Sequence, residues 1–382
     1  MNKKIYLDHA STTPIFRSVA HRIGHLYMET KTNVYRTNVS YISQQYDKSR
    51  ELMAQLIGCN NPTNLVFCRN ATEGINIVAN GLNISSKDTI LISDTEHSSN
   101  ILPWLLLKKR YGCSVQYITT CKEQTIFLSL NKQVRIVALT ALSHVTGQLV
   151  DIKEIVRTVK QAQPSTLVLV DGTQLPLHQP VDVLGLGCDF FVCSLHKFHG
   201  PDGIGLLYVK DSSSIRPTYV GGGTITGGNN SYQYQWSESP HRYEYGTPNI
   251  IPILSLDQFC KEVRYMWSLN WSQWNHISTL RSVLRSIDDL HMVEHGRNTV
   301  TPIISFYVKH ISSYDIGHIL ADHNIICRVG TLCAPLFFSL YRYPPLVRVS
   351  LGPYTTAAEV QYFVTVLKKS IRFLQSIRSI AS

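Results

Sequence analysis

The sequence predicts an α/β protein: a large domain with a mostly parallel seven-stranded sheet, followed by a smaller α+β domain. From about residue 65 to 210 short β-rich runs alternate with helical stretches, the pattern of a parallel sheet covered by helices on both faces. After Gly246-Thr247-Pro248-Asn249 the character changes to amphipathic helices and separate strands. The 382 residues, 44% hydrophobic and 16% charged, suffice for more than one core and exclude disorder.

The strands fall at Leu65 to Cys68, Thr89 to Ser93, Val115 to Ile118, Val134 to Leu139, Leu167 to Val170, Cys188 to Cys193 and Ile204 to Val209. Between them Thr72 to Asn80, roughly Asn100 to Tyr111, and Ile152 to Ala162 have the apolar spacing of helices, with Asp151 the N-cap of the last. The stretch GGGTITGGNNSYQYQW at 221–236 is too polar and glycine-rich for a core element and reads as a mobile loop. Amphipathic helices follow around 252–290, then strands near Thr301 to Val308 and Leu346 to Ser350, and a final helix from Ala357 to Ile377. No repeat at a solenoid period is present.

Composition narrows the function. Apolar clusters such as Leu102 to Leu107 fall far short of the ~18 to 20 residues of a membrane-spanning helix. The start MNKKIYLDHASTTP meets Asp8 and His9 before any apolar stretch forms, so it does not read as a secretory signal, and a cytoplasmic protein is expected. The net charge of +10 suits an anionic partner, but the basic residues are scattered and no interleaved aromatic and basic stripe marks a nucleic-acid binder. The nine cysteines are widely spaced without a CxxC pair, which points to reduced thiols rather than a disulfide framework or a zinc site.

The sharpest feature is Ser194-Leu195-His196-Lys197-Phe198-His199-Gly200-Pro201, just after the apolar run Phe190 to Cys193. A lysine at the end of a buried strand, flanked by histidines and followed by a Gly-Pro turn, suits a Schiff-base lysine. Pyridoxal 5′-phosphate needs an amine for its aldehyde, a carboxylate at its ring nitrogen, a flat group over the ring and donors for its phosphate. Asp171 ends the run Leu167 to Val170 and would deliver its carboxylate to the C-terminal edge of the sheet, with Gln174 a donor to the ring hydroxyl. Arg69-Asn70-Ala71-Thr72-Glu73-Gly74 joins a strand to a helix, so the amides around Ala71 and the Thr72 hydroxyl form a phosphate cradle, to which Ser194 and His196 add donors. His97, in Glu96-His97-Ser98-Ser99-Asn100, is suited to cover the ring and move protons. Singly, Asp171 reads equally as a turn former, Thr72 as an N-cap and His97 as a loop histidine. Their common position after separate strands at one sheet edge favours a shared site.

The stretches YLDHASTTP, RNATEGINIVANG, DTEHSSN, VDGTQ, CDFFVCSLHKFHGPDGIG, YEYGTPN, CRVGTLCAP and RVSLGPYTT run in order through nearly the whole chain. In them the chain resembles the class V aminotransferase family of fold type I, most closely its group II cysteine desulfurase and selenocysteine lyase branch. The resemblance implies a large cofactor-binding domain over 16–258 and a small domain made of 1–15 and 259–382. It implies Lys197 in the Schiff base, Asp171 at the ring nitrogen and His97 stacked on the ring. It makes Thr247 a ligand of the neighbouring subunit's phosphate, hence a homodimer. Cys333, in Arg328-Val329-Gly330-Thr331-Leu332-Cys333-Ala334-Pro335, falls at the position of the nucleophilic cysteine, which would take sulfur from cysteine as a persulfide and release alanine. Arg348 becomes the fork for the substrate carboxylate, with Arg328 and His144 as further substrate-binding candidates.

The chain departs from the family at two places. The desulfurase motif usually has two histidines before the cysteine, and here stand Thr331 and Leu332. Where the family commonly has asparagine after serine, the sequence reads Ser143-His144-Val145-Thr146-Gly147, with a bulkier and titratable imidazole. The leading expectation is a cysteine desulfurase passing sulfur to a thiolated product or a small acceptor protein. The alternatives are a cysteine or cystine C–S lyase releasing pyruvate, another reaction of the family, and a non-catalytic scaffold or nucleic-acid-binding protein.

Overall fold

A computed structural model describes residues 4–29, 41–119, 130, 133–230, 233–269, 275–295 and 301–381. The strands, in order, are β1 Ile5–Tyr6, β2 Leu65–Cys68, β3 Thr89–Ser93, β4 Ser114–Ile118, β5 Val134–Thr140, β6 Leu167–Asp171, β7 Phe190–Ser194 and β8 Gly205–Val209. They continue with β9 Ile225–Asn230, β10 Gln233–Trp236, β11 Leu290–Met292, β12 Ile303–Val308, β13 Ile325–Ile326, β14 Arg328–Gly330 and β15 Leu346–Ser350.

The seven strands expected from the sequence form one sheet in the order β2-β8-β7-β6-β5-β3-β4. It is parallel except for β8, which runs antiparallel to both β2 and β7. Successive side chains point to opposite faces, and the cores divide accordingly. Leu91, Val137, Val168, Val170, Phe191 and Leu206 pack on one face, under the helices Arg17–Glu29, Tyr41–Leu56, Ile152–Ala162 and Leu256–Ser268. Ile90, Ile92, Ile136, Leu169, Phe190 and Val192 pack on the other, under the helices Ala71–Gly81 and Leu102–Tyr111. Both faces being apolar is why the strands inside the sheet read as continuous hydrophobic runs, whereas the edge strand β4 is largely exposed. The predicted N-cap is present: the Asp151 side chain accepts the Glu154 N–H at 3.1 Å.

A second sheet, β11-β12-β15-β14, is antiparallel and packs Phe306, Val347 and Val349 against Ile316, Leu320, Phe363 and Leu367 of the helices Ser313–Asp322 and Ala357–Ala381. The N-terminal segment joins this sheet's layer: β1 pairs in parallel with β13, and Asp8 bridges to Ser350.

Two features depart from the sequence reading. Segment 221–236 contains an antiparallel hairpin of β9 and β10, with Ile225 opposite Trp236 and Thr226 opposite Gln235, rather than a loop; residues 231–232 lie outside the described residues. Its pairing rests on backbone hydrogen bonds, which need no core; Ile225 and Trp236 form its β-branched–aromatic pair, and Tyr234 is 55% exposed. The sequence pattern does not mark the helices Arg17–Glu29 and Tyr41–Leu56: in the first only Val19 and Leu26 are buried, and the buried stripe of the second includes the polar Ser49 and Arg50. Among the described residues no helix is long and apolar enough to cross a membrane.

Candidate active site

β2, β3, β6 and β7 all end at the same edge of the large sheet, so the segments that follow them converge. They surround a cavity of about 300 Å³ lined by Thr72, His97, Asp171, Gln174, Ser194, His196 and Lys197, among others. Asp171 and Lys197 come from the adjacent strands β6 and β7.

Lys197 lies in the 3-10 turn Leu195–Lys197 and is half-buried; its Nζ donates to the Ala10 carbonyl at 3.2 Å. Burial, reinforced by Arg348 and opposed by Asp171, lowers its pKa to about 8. Asp171 is buried, and its Oδ1 accepts the Thr173 N–H at 3.0 Å. Gln174 Nε2 donates to the same Ala10 carbonyl at 2.8 Å, which leaves one amide hydrogen for a ligand.

At the start of the helix Ala71–Gly81 the Asn70 side chain accepts the Glu73 N–H, and the Ala71 N–H donates to Ser194 Oγ at 2.8 Å. Thr72 Oγ1 and Ser99 Oγ lie 2.7 Å apart. The loop approaches the sheet closely because residue 205 is glycine: a Cβ there would sit 2.6 Å from the Asn70 backbone. His97 Nδ1 accepts the Ser99 N–H at 3.1 Å, which assigns its proton to Nε2. Burial, then Lys197, holds the His97 pKa below the ordinary imidazole value, so the ring is neutral near pH 7. His196 Nδ1 meets Thr12 Oγ1 at 3.0 Å.

A second cavity, of about 190 Å³, shares Ser11, His97, His144 and Lys197 with the first and adds Arg328, Cys333 and Arg348. Arg348 is 3% exposed; its Nη2 donates to Asp8 Oδ1 and to Ser11 Oγ, each at 2.9 Å, and its Nη1 to the His144 carbonyl at 3.0 Å. Arg328 is exposed on β14. Cys333 is exposed and has φ +57°, directly after Leu332 at φ +53°, so two non-glycine residues in succession are left-handed. The Cys333 carbonyl accepts Ser98 N–H at 2.9 Å and Ser98 Oγ–H at 2.8 Å. Buried His144 meets the Leu332 carbonyl through Nε2 at 2.9 Å.

Within one chain Thr247 is not brought to Lys197. It lies in another cavity, of about 260 Å³, with Arg69, Glu73 and Tyr245. The sequence reading also passed over Asp8, Ala10 and Ser11, which hold Lys197, Gln174 and Arg348; they stand in YLDHASTTP, a stretch that carried the resemblance without any role being assigned to it.

The family described as Aminotransferase class-V matches residues 5–363. The chain belongs to the class V aminotransferase family. A cysteine desulfurase of Escherichia coli O17:K52:H18 (strain UMN026 / ExPEC) is 33% identical over 97% of this chain and 94% of its own length. The crystal structure of the cysteine desulfurase CsdA (S-sulfonic acid) from Escherichia coli superposes with a TM-score of 0.86 at 25% identity, covering 97% of this chain and 95% of that one. The apo structure of a cysteine desulfurase from Thermococcus onnurineus NA1 gives 0.89 at 27% identity, covering 98% and 96%.

Class V aminotransferases are pyridoxal-phosphate enzymes, and the Lys197 cavity fits that cofactor. Gln174 Oε1 and Thr173 Oγ1 are buried with no hydrogen-bond partner among the described residues, so polar atoms here are left for a ligand. The amine, the carboxylate, the neutral imidazole and the helix N-terminus line the one cavity.

Proposed function

We propose that this class V chain is a cysteine desulfurase that uses pyridoxal phosphate to convert L-cysteine to L-alanine, keeping the sulfur as a persulfide on Cys333. The observation that carries this reading is the placement of Cys333 and Arg348 in a cavity that shares His97 and Lys197 with the cofactor cavity.

When bound, the cofactor supplies an electron sink that loosens bonds at the substrate's α carbon. Lys197 would hold its aldehyde through Nζ, and its amine would move the α proton; a pKa near 8 leaves part of that amine neutral. Asp171 would keep the ring nitrogen protonated, Gln174 would donate to the ring hydroxyl, His97 would cover the ring, and the Ala71 and Thr72 segment with Ser194 and His196 would hold the phosphate. Arg348 would take the substrate carboxylate, with Arg328 at the exposed rim and the buried His144 in the wall of the same cavity. Cys333 Sγ, as thiolate, forms a bond to the substrate sulfur as the carbon–sulfur bond breaks. The electron pair passes to the substrate carbon, which is protonated to alanine.

We read Thr247 as a ligand of the phosphate in a second copy, hence a homodimer; the expected boundary at 258/259 would divide the helix Leu256–Ser268, whose Phe259, Val263 and Met266 pack in the core of the large sheet, so we place that helix with the large domain and 1–15 plus the chain beyond it in the small one. The sulfur then passes to a thiolated product or a small acceptor protein in the cytoplasm. The test is L-cysteine turnover by the cofactor-loaded protein with alanine, pyruvate and sulfide each quantified and Cys333 mapped by mass. Alanine with a persulfide on Cys333 is expected; pyruvate and sulfide with an unmodified Cys333 would make it a C–S lyase.

A further inference from the structure

We infer that His144 is a positioning residue for Cys333: its imidazole, through Nε2–H to the Leu332 carbonyl, clamps the turn that presents the thiol. The inference deepens the desulfurase reading and rests on it for the role of Cys333.

The carbonyl can only accept, so the 2.9 Å contact assigns the ring proton to Nε2. His144 is itself held, because Arg348 Nη1 donates to its main-chain carbonyl at 3.0 Å. The ring is 5% exposed, stands edge-on to His97 at 5.0 Å, and lines both cavities. Leu332 and Cys333 are both left-handed, a conformation that non-glycine residues keep only when their surroundings hold them. Ser98 holds the Cys333 carbonyl, and the Leu332 side chain packs with Val145, Ala334 and Phe337. His144 adds a fixed point on the carbonyl between these two anchors. The chain has Thr331 and Leu332 immediately before its cysteine, and the imidazole that reaches this turn comes from residue 144 instead.

Reach makes the inference selective. A glutamine amide nitrogen falls where histidine carries Nε2, whereas the asparagine amide falls where it carries Nδ1 and stops short of Leu332. The experiment uses the full, cofactor-loaded chain with His144→Gln, His144→Asn and His144→Ala. Two quantities are read: amide hydrogen exchange over 331–334, where the Ala334 N–H donates to the Thr331 carbonyl at 3.0 Å, and single-turnover persulfide formation on Cys333 alongside the cofactor's spectral response to L-cysteine.

His144→Asn and His144→Ala are expected to lose about ten-fold in exchange protection and about ten-fold in the rate of sulfur capture at saturating L-cysteine, with the cofactor still bound. His144→Gln restores both. An asparagine variant indistinguishable from the parent overturns the inference. So does a folded glutamine variant that restores neither quantity, and so does loss of cofactor binding in all three, which would make His144 a cofactor contact. Failure of the desulfurase reading is separate: a parent protein that makes no persulfide but whose exchange follows the Gln-versus-Asn order refutes the activity and keeps the clamp.

Discussion

Arg348 Nη2 lies 2.9 Å from Asp8 Oδ1, a buried ion pair between residues 340 positions apart. It fixes Arg348 in the lining of the second cavity, and Asp8 is brought there because β1 pairs with β13 and Asp8 bridges to Ser350 on β15. Ser11 and the His144 carbonyl take further donors of the same guanidinium. The head group is thereby aimed before any substrate arrives.

Arg348→Lys keeps a positive charge and loses the planar fork. The KM for L-cysteine is expected to rise by about 10- to 100-fold, the loss of one bidentate carboxylate contact, while the cofactor stays bound. Steady-state kinetics with the absorbance of the bound cofactor checks both halves; an unchanged KM would remove Arg348 from the substrate site.

Lys197→Ala removes the amine from the large cavity. Borohydride treatment of the cofactor-loaded parent should fix the cofactor to the peptide carrying Lys197, and the variant should give no such adduct. Mass mapping decides it, and an adduct that persists would mean another lysine is used.

Cys333→Ala leaves every residue lining the large cavity unchanged. Cofactor binding should be retained, persulfide should vanish, and alanine production should fall by about 100-fold or more, the scale of losing a covalent catalytic group. Continued release of sulfide with pyruvate would show that the thiol is incidental.

Lys197 has its pKa lowered from 10.5 to about 8, chiefly by burial. Its neutral amine is the form that captures an aldehyde, so cofactor uptake by the apo protein should accelerate as pH rises to about 8 and level off above it. For stability the sign is the reverse of a salt-bridged lysine. Between about 8 and 10.5 the unfolded chain holds the proton that the folded one has released, so this group contributes increasing stability as pH rises through that window. Stopped-flow absorbance at several pH values tests the first statement; a rate still rising steeply beyond pH 9 would contradict it.

Away from the site, Arg50 donates to Glu244 through Nη1 at 2.6 Å and Nη2 at 2.8 Å, with both residues buried. Glu244 also accepts the Phe67 N–H at 2.7 Å, next to the end of β2. Arg50→Ala would leave that carboxylate buried and uncompensated, a loss of about 3 to 5 kcal/mol. Urea unfolding measures it; a change under about 1 kcal/mol would show that water replaces the guanidinium.

Local pattern was enough to find the seven strands of the large sheet, since all but the edge strand β4 are short apolar runs ended by turn or polar residues, and to see that Thr72, His97, Asp171 and Lys197 stand at or just after strand ends. Burial on both faces writes that pattern directly into the sequence. The hairpin of β9 and β10 left no such trace, because backbone pairing at the surface places little demand on side chains. The pairings of Asp8 with Arg348 and of His144 with Leu332 span 340 and 188 positions, and no periodicity connects them. Only the tertiary structure chose these partners. Topology carries the N-terminal segment and the 143–147 turn to the small sheet, and burial there favours pairing of charges and polar groups with whatever the fold has set beside them.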